Sequence, residues 1–272
     1  MKKYIIGNLK MNLLSPSERE QYLSGIDKEL AKKKFDNAEI VLCPPFVQLE
    51  EFSKWKNKKV HPVKSDKVGS PRAKFNGVKI GAQNIFFEDK GSFTGEISPM
   101  MLKNFGCEFV IVGHSERRRY FGEAGEFINH KIISALKNGL RPVLCVGETK
   151  AEKDSDRTME IITRQVKEAL ININKTKAGQ LIIAYEPIWS VGTDVLPTSN
   201  EVMGAKLLIR KILHELFGKK YALEVAILYG GSVNSKSVKQ VCIDSEVDGA
   251  LIGRESLQPH EFVKIIEIIN NN

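Results

Sequence analysis

Cysteine is scarce and scattered. Cys43, Cys107, Cys145 and Cys242 form no C-x-x-C pair, so the chain signals neither a zinc site nor a disulfide framework. The five histidines, His61, His114, His130, His214 and His260, lack HExxH spacing, so no metal ion is expected as a cofactor. No apolar run approaches the length of a membrane span, and the stretch after Met1-Lys2-Lys3 is too short for a signal peptide. A cytoplasmic protein with reduced, buried thiols is expected. Also missing is a G-x-G-x-x-G fingerprint, since the first apolar run ends in Gly7-Asn8-Leu9-Lys10-Met11-Asn12.

What is present is ordinary globular usage: 42% hydrophobic and 27% charged residues over 272 positions, enough apolar surface for a core. That length suits one large domain or two small ones, and no linker divides it. The formal charge of +8 is local. Between Lys54 and Lys74 stand eight basic residues and one acid, while the remainder is nearly neutral. This stretch, which also carries His61-Pro62, Gly69 and Ser70-Pro71, reads as a surface loop inserted over residues 57–75.

Eight short, β-branched runs recur down the chain: Tyr4 to Gly7, Glu39 to Cys43, Val78 to Ala82, Phe109 to Gly113, Pro142 to Gly147, Gln180 to Tyr185, Val225 to Gly230 and Asp248 to Gly253. Most lack polar alternation, which suits parallel strands buried on both faces. Helical segments lie between them. Ser15-Pro16-Ser17-Glu18 and Thr198-Ser199-Asn200-Glu201 read as capping boxes, and Gly139 and Gly218 as helix stops. Alternating strands and helices give an α/β fold, either a closed barrel or an open doubly wound sheet. Without the glycine fingerprint the closed parallel (β/α)8 barrel is preferred.

In such a barrel the reactive groups sit at the C-terminal ends of strands. The first strand delivers Asn8 and Lys10, the fourth His114 followed by Ser115-Glu116-Arg117, and the sixth Glu186. The last two deliver Gly230-Gly231-Ser232 and Gly253. Taken singly, each has a bland explanation: a solvated carboxylate, a hydrogen-bonded imidazole, a tight turn. Together they place a cation, an imidazole, a carboxylate and two glycine loops on one rim.

The segments carrying these residues resemble the signatures of the triosephosphate isomerase family. They are Asn8-Leu9-Lys10-Met11-Asn12, Gly113-His114-Ser115-Glu116-Arg117-Arg118, Ala184 to Thr193 and Tyr229-Gly230-Gly231-Ser232-Val233. Ala82-Gln83-Asn84, Phe93-Thr94-Gly95-Glu96, Phe121-Gly122-Glu123 and Cys145-Val146-Gly147-Glu148 extend the match over essentially the whole chain, in the family's order.

The resemblance implies a TIM barrel that interconverts dihydroxyacetone phosphate and glyceraldehyde 3-phosphate, a glycolytic and gluconeogenic isomerisation, with no cofactor. It implies Glu186 as the base, His114 as a neutral imidazole and Lys10 as donors to the enediolate oxygens, and Asn8 as orienting Lys10 and substrate. Glu116 would position the Lys10 ammonium. Backbone groups of Gly192, Ser232, Gly253 and Arg254 would hold the phosphate, beneath a lid from Pro187 to Thr193. Arg254 stands where the family usually has a second glycine, and Asp194-Val195 follow Gly192-Thr193 where a small residue and often lysine are usual. Gly91-Ser92-Phe93-Thr94-Gly95 resembles the loop by which the family forms homodimers, reaching towards the Asn8 and Lys10 region of a second copy.

Two rival readings stay open at this point. Another phosphate-binding barrel enzyme would share the glycine loops but leave Lys10, His114 and Glu186 together unexplained. A polyanion-binding role for the basic insertion is compatible with either enzyme, although lysine-rich loops of this kind mostly stay solvated, and nucleic acid is not expected as a partner. Replacing residues 57–75 by a short Gly/Ser connector is predicted to leave kcat unchanged and to abolish salt-dependent retention on a polyanion column. Loss of folding on deletion contradicts the loop reading.

Overall fold

A computed structural model describes residues 2–31, 33–57, 77–193 and 195–272. Most of the basic insertion, read as a surface loop, and Asp194, which follows the lid segment, lie outside the described residues.

Eight parallel strands close into a barrel in sequence order: β1 (Lys3–Asn8), β2 (Ala38–Cys43), β3 (Val78–Ala82), β4 (Cys107–Val112), β5 (Arg141–Val146), β6 (Ile182–Tyr185), β7 (Ala226–Tyr229) and β8 (Gly249–Ile252). Around it run α1 (Pro16–Leu30), α2 (Leu49–Asn57), α3 (Pro99–Asn104), α4 (Ser115–Phe121), α5 (Gly125–Lys137), α6 (Lys150–Asp154), α7 (Thr158–Ala169), α8 (Ser199–Phe217), α9 (Lys219–Ala222) and α10 (Pro259–Asn270). Every apolar run named above contains a strand. The sixth begins two residues later than expected, because Lys175–Gln180 winds into a 3-10 turn before Leu181.

The unbroken apolar character of the strands has a direct cause. In β2, Val41 and Cys43 belong to the barrel interior with Ile6, Phe109, Ile111, Val143, Ala184 and Leu228. Ile40 and Leu42 face outward into the layer shared with the helices, beside Ile26, Phe52 and Phe262. Both faces are therefore dry, and alternation of polar and apolar residues has no use here. All four cysteines are buried and free. Burial pushes the thiols of Cys107 and Cys242 up to about 12, and those of Cys43 and Cys145 further.

Helix starts follow the sequence signals. Thr198 and Glu201 form a reciprocal capping box at α8. At α1 the Ser15 side chain accepts from Glu18 N–H, but the Glu18 carboxylate returns to the Leu14 N–H instead of Ser15, so the expected box is only half made. Thr149 and Glu152 make a further complete box at α6. Gly218 and Gly139 take positive φ at the ends of α8 and α5.

The N-terminal mouth is closed by charge and ring stacking. The Arg141 guanidinium lies 4.8 Å from the Tyr4 ring centre and 5.1 Å from that of Phe109, and Lys79 pairs with Glu39 at 3.2 Å. Such a plug serves stability and leaves the C-terminal rim for chemistry.

Barrel closure depends on β8 lying tightly against β1, with Tyr4 opposite Gly249 and Gly7 opposite Ile252. Gly249 has φ +140°, and a Cβ there would overlap the carbonyl oxygen of Tyr4. Gly249→Ala is predicted to cost about 3 kcal/mol or more in urea unfolding, since main chain on both sides of the seam must shift. Gly204, within α8, has open space where a Cβ would stand, and Gly204→Ala is predicted to stabilise by about 0.5–1 kcal/mol. Similar effects at the two positions contradict the account of the seam.

Candidate active site

Each rim residue read from the sequence sits at the C-terminal end of its strand. Asn8 ends β1, and its side-chain oxygen accepts from Lys10 N–H at 3.1 Å. That bond helps hold Lys10 at φ +51°, a left-handed conformation that non-glycine residues seldom take. Gln83, just past β3, adds a second restraint by donating to the Lys10 carbonyl at 2.9 Å. The lysine side chain crosses the rim, and its Nζ lies 2.6 Å from Glu116 Oε1. A Cβ on Gly253 would lie 3.7 Å from that ammonium, so the loop after β8 approaches the cation closely.

His114 is the N-cap of α4. Its Nδ1 accepts the Glu116 N–H at 3.2 Å, which places the ring hydrogen on Nε2. Nε2 lies 3.4 Å from Glu186 Oε1. Glu186 follows β6 and is 2% exposed, with Oε2 accepting the Ser115 N–H at 3.2 Å. Thus one helix end serves both groups: its first N–H binds the carboxylate, its second fixes the imidazole. The positive end of the helix dipole is set against the buried carboxylate, an arrangement that favours an anion. Glu186 Oε1 is buried and has no hydrogen bond.

Close main-chain approach makes room for Glu186. A Cβ on Gly230 would come within 2.7 Å of Glu186 Cγ, and one on Gly147 would overlap the Glu186 carbonyl. Beneath it Arg118 ties the end of β4 to that of β5, donating to Gly113 O at 2.7 Å and Cys145 O at 3.0 Å. Burial, and then the charge of Glu186, push the Cys145 thiol well above its ordinary value.

Past Glu186 the chain is fastened by its aromatic side chains. Trp189 Nε1 donates to Glu148 Oε1 at 2.8 Å, which also receives the Tyr185 hydroxyl at 3.1 Å. Lys153 Nζ lies 3.4 Å from the Trp189 ring centre and 2.6 Å from Glu201. Gly192 N–H donates to Ser232 Oγ at 3.2 Å, which in turn donates to Ser190 O at 2.8 Å. The loops after β6 and β7 are thereby joined. Arg254 opens a short 3-10 turn after Gly253, with its side chain exposed.

Asn8, Lys10, His114 and Glu186 therefore share one part of the rim with Gly253, while Gly192 and Ser232 meet each other. Glu148 and Lys153 went unrecognised from sequence as individual site residues. Only Glu148 lay within a quoted motif, and the relay it anchors spans some forty residues of chain. Among the described residues no group of three or more His, Cys, Asp or Glu is arranged to hold a metal ion. No described helix is long and apolar enough to cross a membrane.

Fold and rim define the class: a parallel (β/α)8-barrel protein whose polar side chains gather where the strands end. The family model described as triosephosphate isomerase matches residues 3–269. Similar curated relatives carry that name. The one from Thermoanaerobacter sp. (strain X514) is 39% identical over 262 residues, covering 96% of this chain and 97% of the relative. That from Dictyoglomus thermophilum is 41% identical over 271 residues, covering 98% and 99%. The chain belongs to the triosephosphate isomerase family.

The tautomer of His114 is the directly testable feature of this geometry. Nitrogen NMR of the ring is predicted to show hydrogen on Nε2 and a lone pair on Nδ1. Hydrogen on Nδ1 contradicts the capping bond from Glu116.

Proposed function

We propose that this chain interconverts dihydroxyacetone phosphate and D-glyceraldehyde 3-phosphate without a cofactor, using Glu186 as the base. The observation that carries the proposal is the pairing of a buried Glu186 carboxylate with the Nε2–H edge of His114 at 3.4 Å, with the Lys10 ammonium on the same rim.

The chemistry follows from these groups. Glu186 takes a proton from the carbon bearing the hydroxyl, next to the ketone, and the electron pair moves onto oxygen to give an enediolate. His114 Nε2 and Lys10 Nζ donate to the two oxygens as charge develops there. The hydroxyl proton passes by way of His114 Nε2 from the oxygen on the first carbon to that on the second, and the protonated carboxyl, open to exchange with solvent, delivers a proton to the second carbon, giving the aldehyde with no net loss or gain of atoms. One carboxylate can serve both carbons because they are adjacent.

The phosphate dianion needs donors that bring no bulk. Backbone N–H groups of Gly192, Ser232, Gly253 and Arg254 serve it, with Lys10 alongside as the cation. Pro187 to Thr193 act as a lid that excludes water and keeps the enediolate from expelling phosphate. In the described state Trp189 is held by Glu148 and Lys153, so those contacts oppose any movement of the lid.

The chain is read as one domain carrying a basic insertion, acting in the cytoplasm as a homodimer. Support for a dimer comes from the apolar surface around Lys10: Met11 is 88% exposed, Leu14 81% and Val47 87%. Phe93, on the Gly91 to Gly95 loop, is partly exposed and packs 4.7 Å from Phe86. A second copy would cover both regions.

Glu186→Gln keeps nearly the same shape and removes the proton acceptor. A fall in kcat of at least ~10²-fold, with substrate still bound, is predicted in a coupled assay of dihydroxyacetone phosphate conversion. Near-normal turnover contradicts the assignment of the base.

A further inference from the structure

Glu186 does not choose its own position. The parallel ladder between β5 and β6 pairs Val146 with Tyr185 and then continues past both strand ends. Glu186 N–H donates to Val146 O at 2.7 Å, and Ile188 N–H to Glu148 O at 3.0 Å. Between these bonds lies Gly147, packed so closely on the Glu186 carbonyl that no Cβ fits. With no side chain to act as a cushion, a displacement of the Gly147 peptide passes directly to the main chain of Glu186.

Gly147 is held from behind by one side chain. Gln165, on α7, accepts the Gly147 N–H at 2.8 Å and donates its amide to the Gly147 carbonyl at 3.1 Å. Both polar groups of that residue are satisfied by a single amide, which fixes its orientation as well as its place. The next residue, Glu148, receives Trp189 and Tyr185 through one carboxylate oxygen. One short segment, Val146 to Glu148, is thus the template on which Glu186 and the start of the following loop are laid.

We propose that Gln165 is a positioning residue for the isomerisation, acting through Gly147 to set the aim of the Glu186 carboxylate. This rests on the reading of Glu186 as the base. Gln165 itself touches neither the reacting carbons nor the phosphate loops. Its loss therefore acts on proton transfer and leaves substrate binding alone, because small misplacements of a reacting group slow chemistry far more than they weaken binding.

The test uses the whole protein. Gln165→Met keeps the side-chain volume and removes both hydrogen bonds, and is predicted to lower kcat by about 10-fold with KM changed by less than about 2-fold. The primary deuterium isotope effect on kcat, measured with dihydroxyacetone phosphate deuterated at the carbon that loses the proton, is predicted to exceed that of the wild type. Slower proton abstraction then limits turnover. Gln165→Glu keeps an acceptor for Gly147 N–H but loses the donor, and is predicted to fall between wild type and Gln165→Met, about 3-fold down in kcat. If Gln165→Met does not fold, Gln165→Glu decides the matter by the same two readings.

A lower melting temperature with unchanged kcat and isotope effect overturns the proposal, because Gln165 then supports only the fold. A rise in KM at constant kcat also overturns it. Glu186→Gln, assayed alongside, separates the base from its support. Full turnover by that variant removes the base assignment itself, whereas failure confined to the Gln165 variants removes only the positioning role.

Discussion

The seam between β8 and β1 is the constraint on which the rim depends. Gly249 lies so close to the Tyr4 carbonyl that no other residue fits without a shift of main chain, and this closeness lets the eighth strand close on the first. Closure brings together residues separated by most of the sequence. Gly253 stands beside the Lys10 side chain only because their strands are neighbours, and Ser256 reaches back to the Asn8 carbonyl at 3.3 Å. An open sheet with the same strands would leave Lys10 at one edge and Gly253 far from it.

Within that frame the start of α4 organises the charges. A helix end offers unpaired N–H groups, and here they are shared between an acid and an imidazole. The carboxylate gains a main-chain donor there, with the charge of Arg118 beneath it. The imidazole is turned so that Nδ1 faces the helix and Nε2 lies 3.4 Å from the carboxylate. Lys10 is placed by Asn8 and Gln83, and its ammonium by Glu116 of the same helix. Base, donor and cation therefore share one support, the first turn of α4, which fixes their places relative to one another.

Much of this was legible in the sequence, for identifiable reasons. The strands were visible because a barrel buried on both faces demands continuous apolar runs, and the rim residues because they come directly after those runs. Helix boundaries were read where local bonds decide them, as with Thr198 and Glu201. The start of β6 was misplaced, since Gln180 and Leu181 look the same in composition whether they lie in a 3-10 turn or a strand. At α1, Ser15 caps the helix as read, but the Glu18 carboxylate found the exposed N–H of Leu14 instead. Gly147 was noticed as part of a motif, yet the reason for it, the carbonyl of Glu186, is a contact across two strands that no local pattern records. Gln165 carries no signal at all in sequence: its partner is eighteen residues away, and any polar residue on an outer helix looks alike until the fold is known.

The central claim is that a proton is transferred through an enediolate at this rim. The measurement that tests it most directly is conversion of dihydroxyacetone phosphate by the wild-type protein in heavy water, with the product analysed for deuterium by NMR. Transfer by a carboxylic acid that exchanges with solvent predicts glyceraldehyde 3-phosphate carrying deuterium at the carbon next to the aldehyde. Product formed at full rate with no deuterium at that carbon, by the wild type and by Glu186→Gln alike, contradicts the account, since it points to a hydride that moves between the carbons without ever meeting the base.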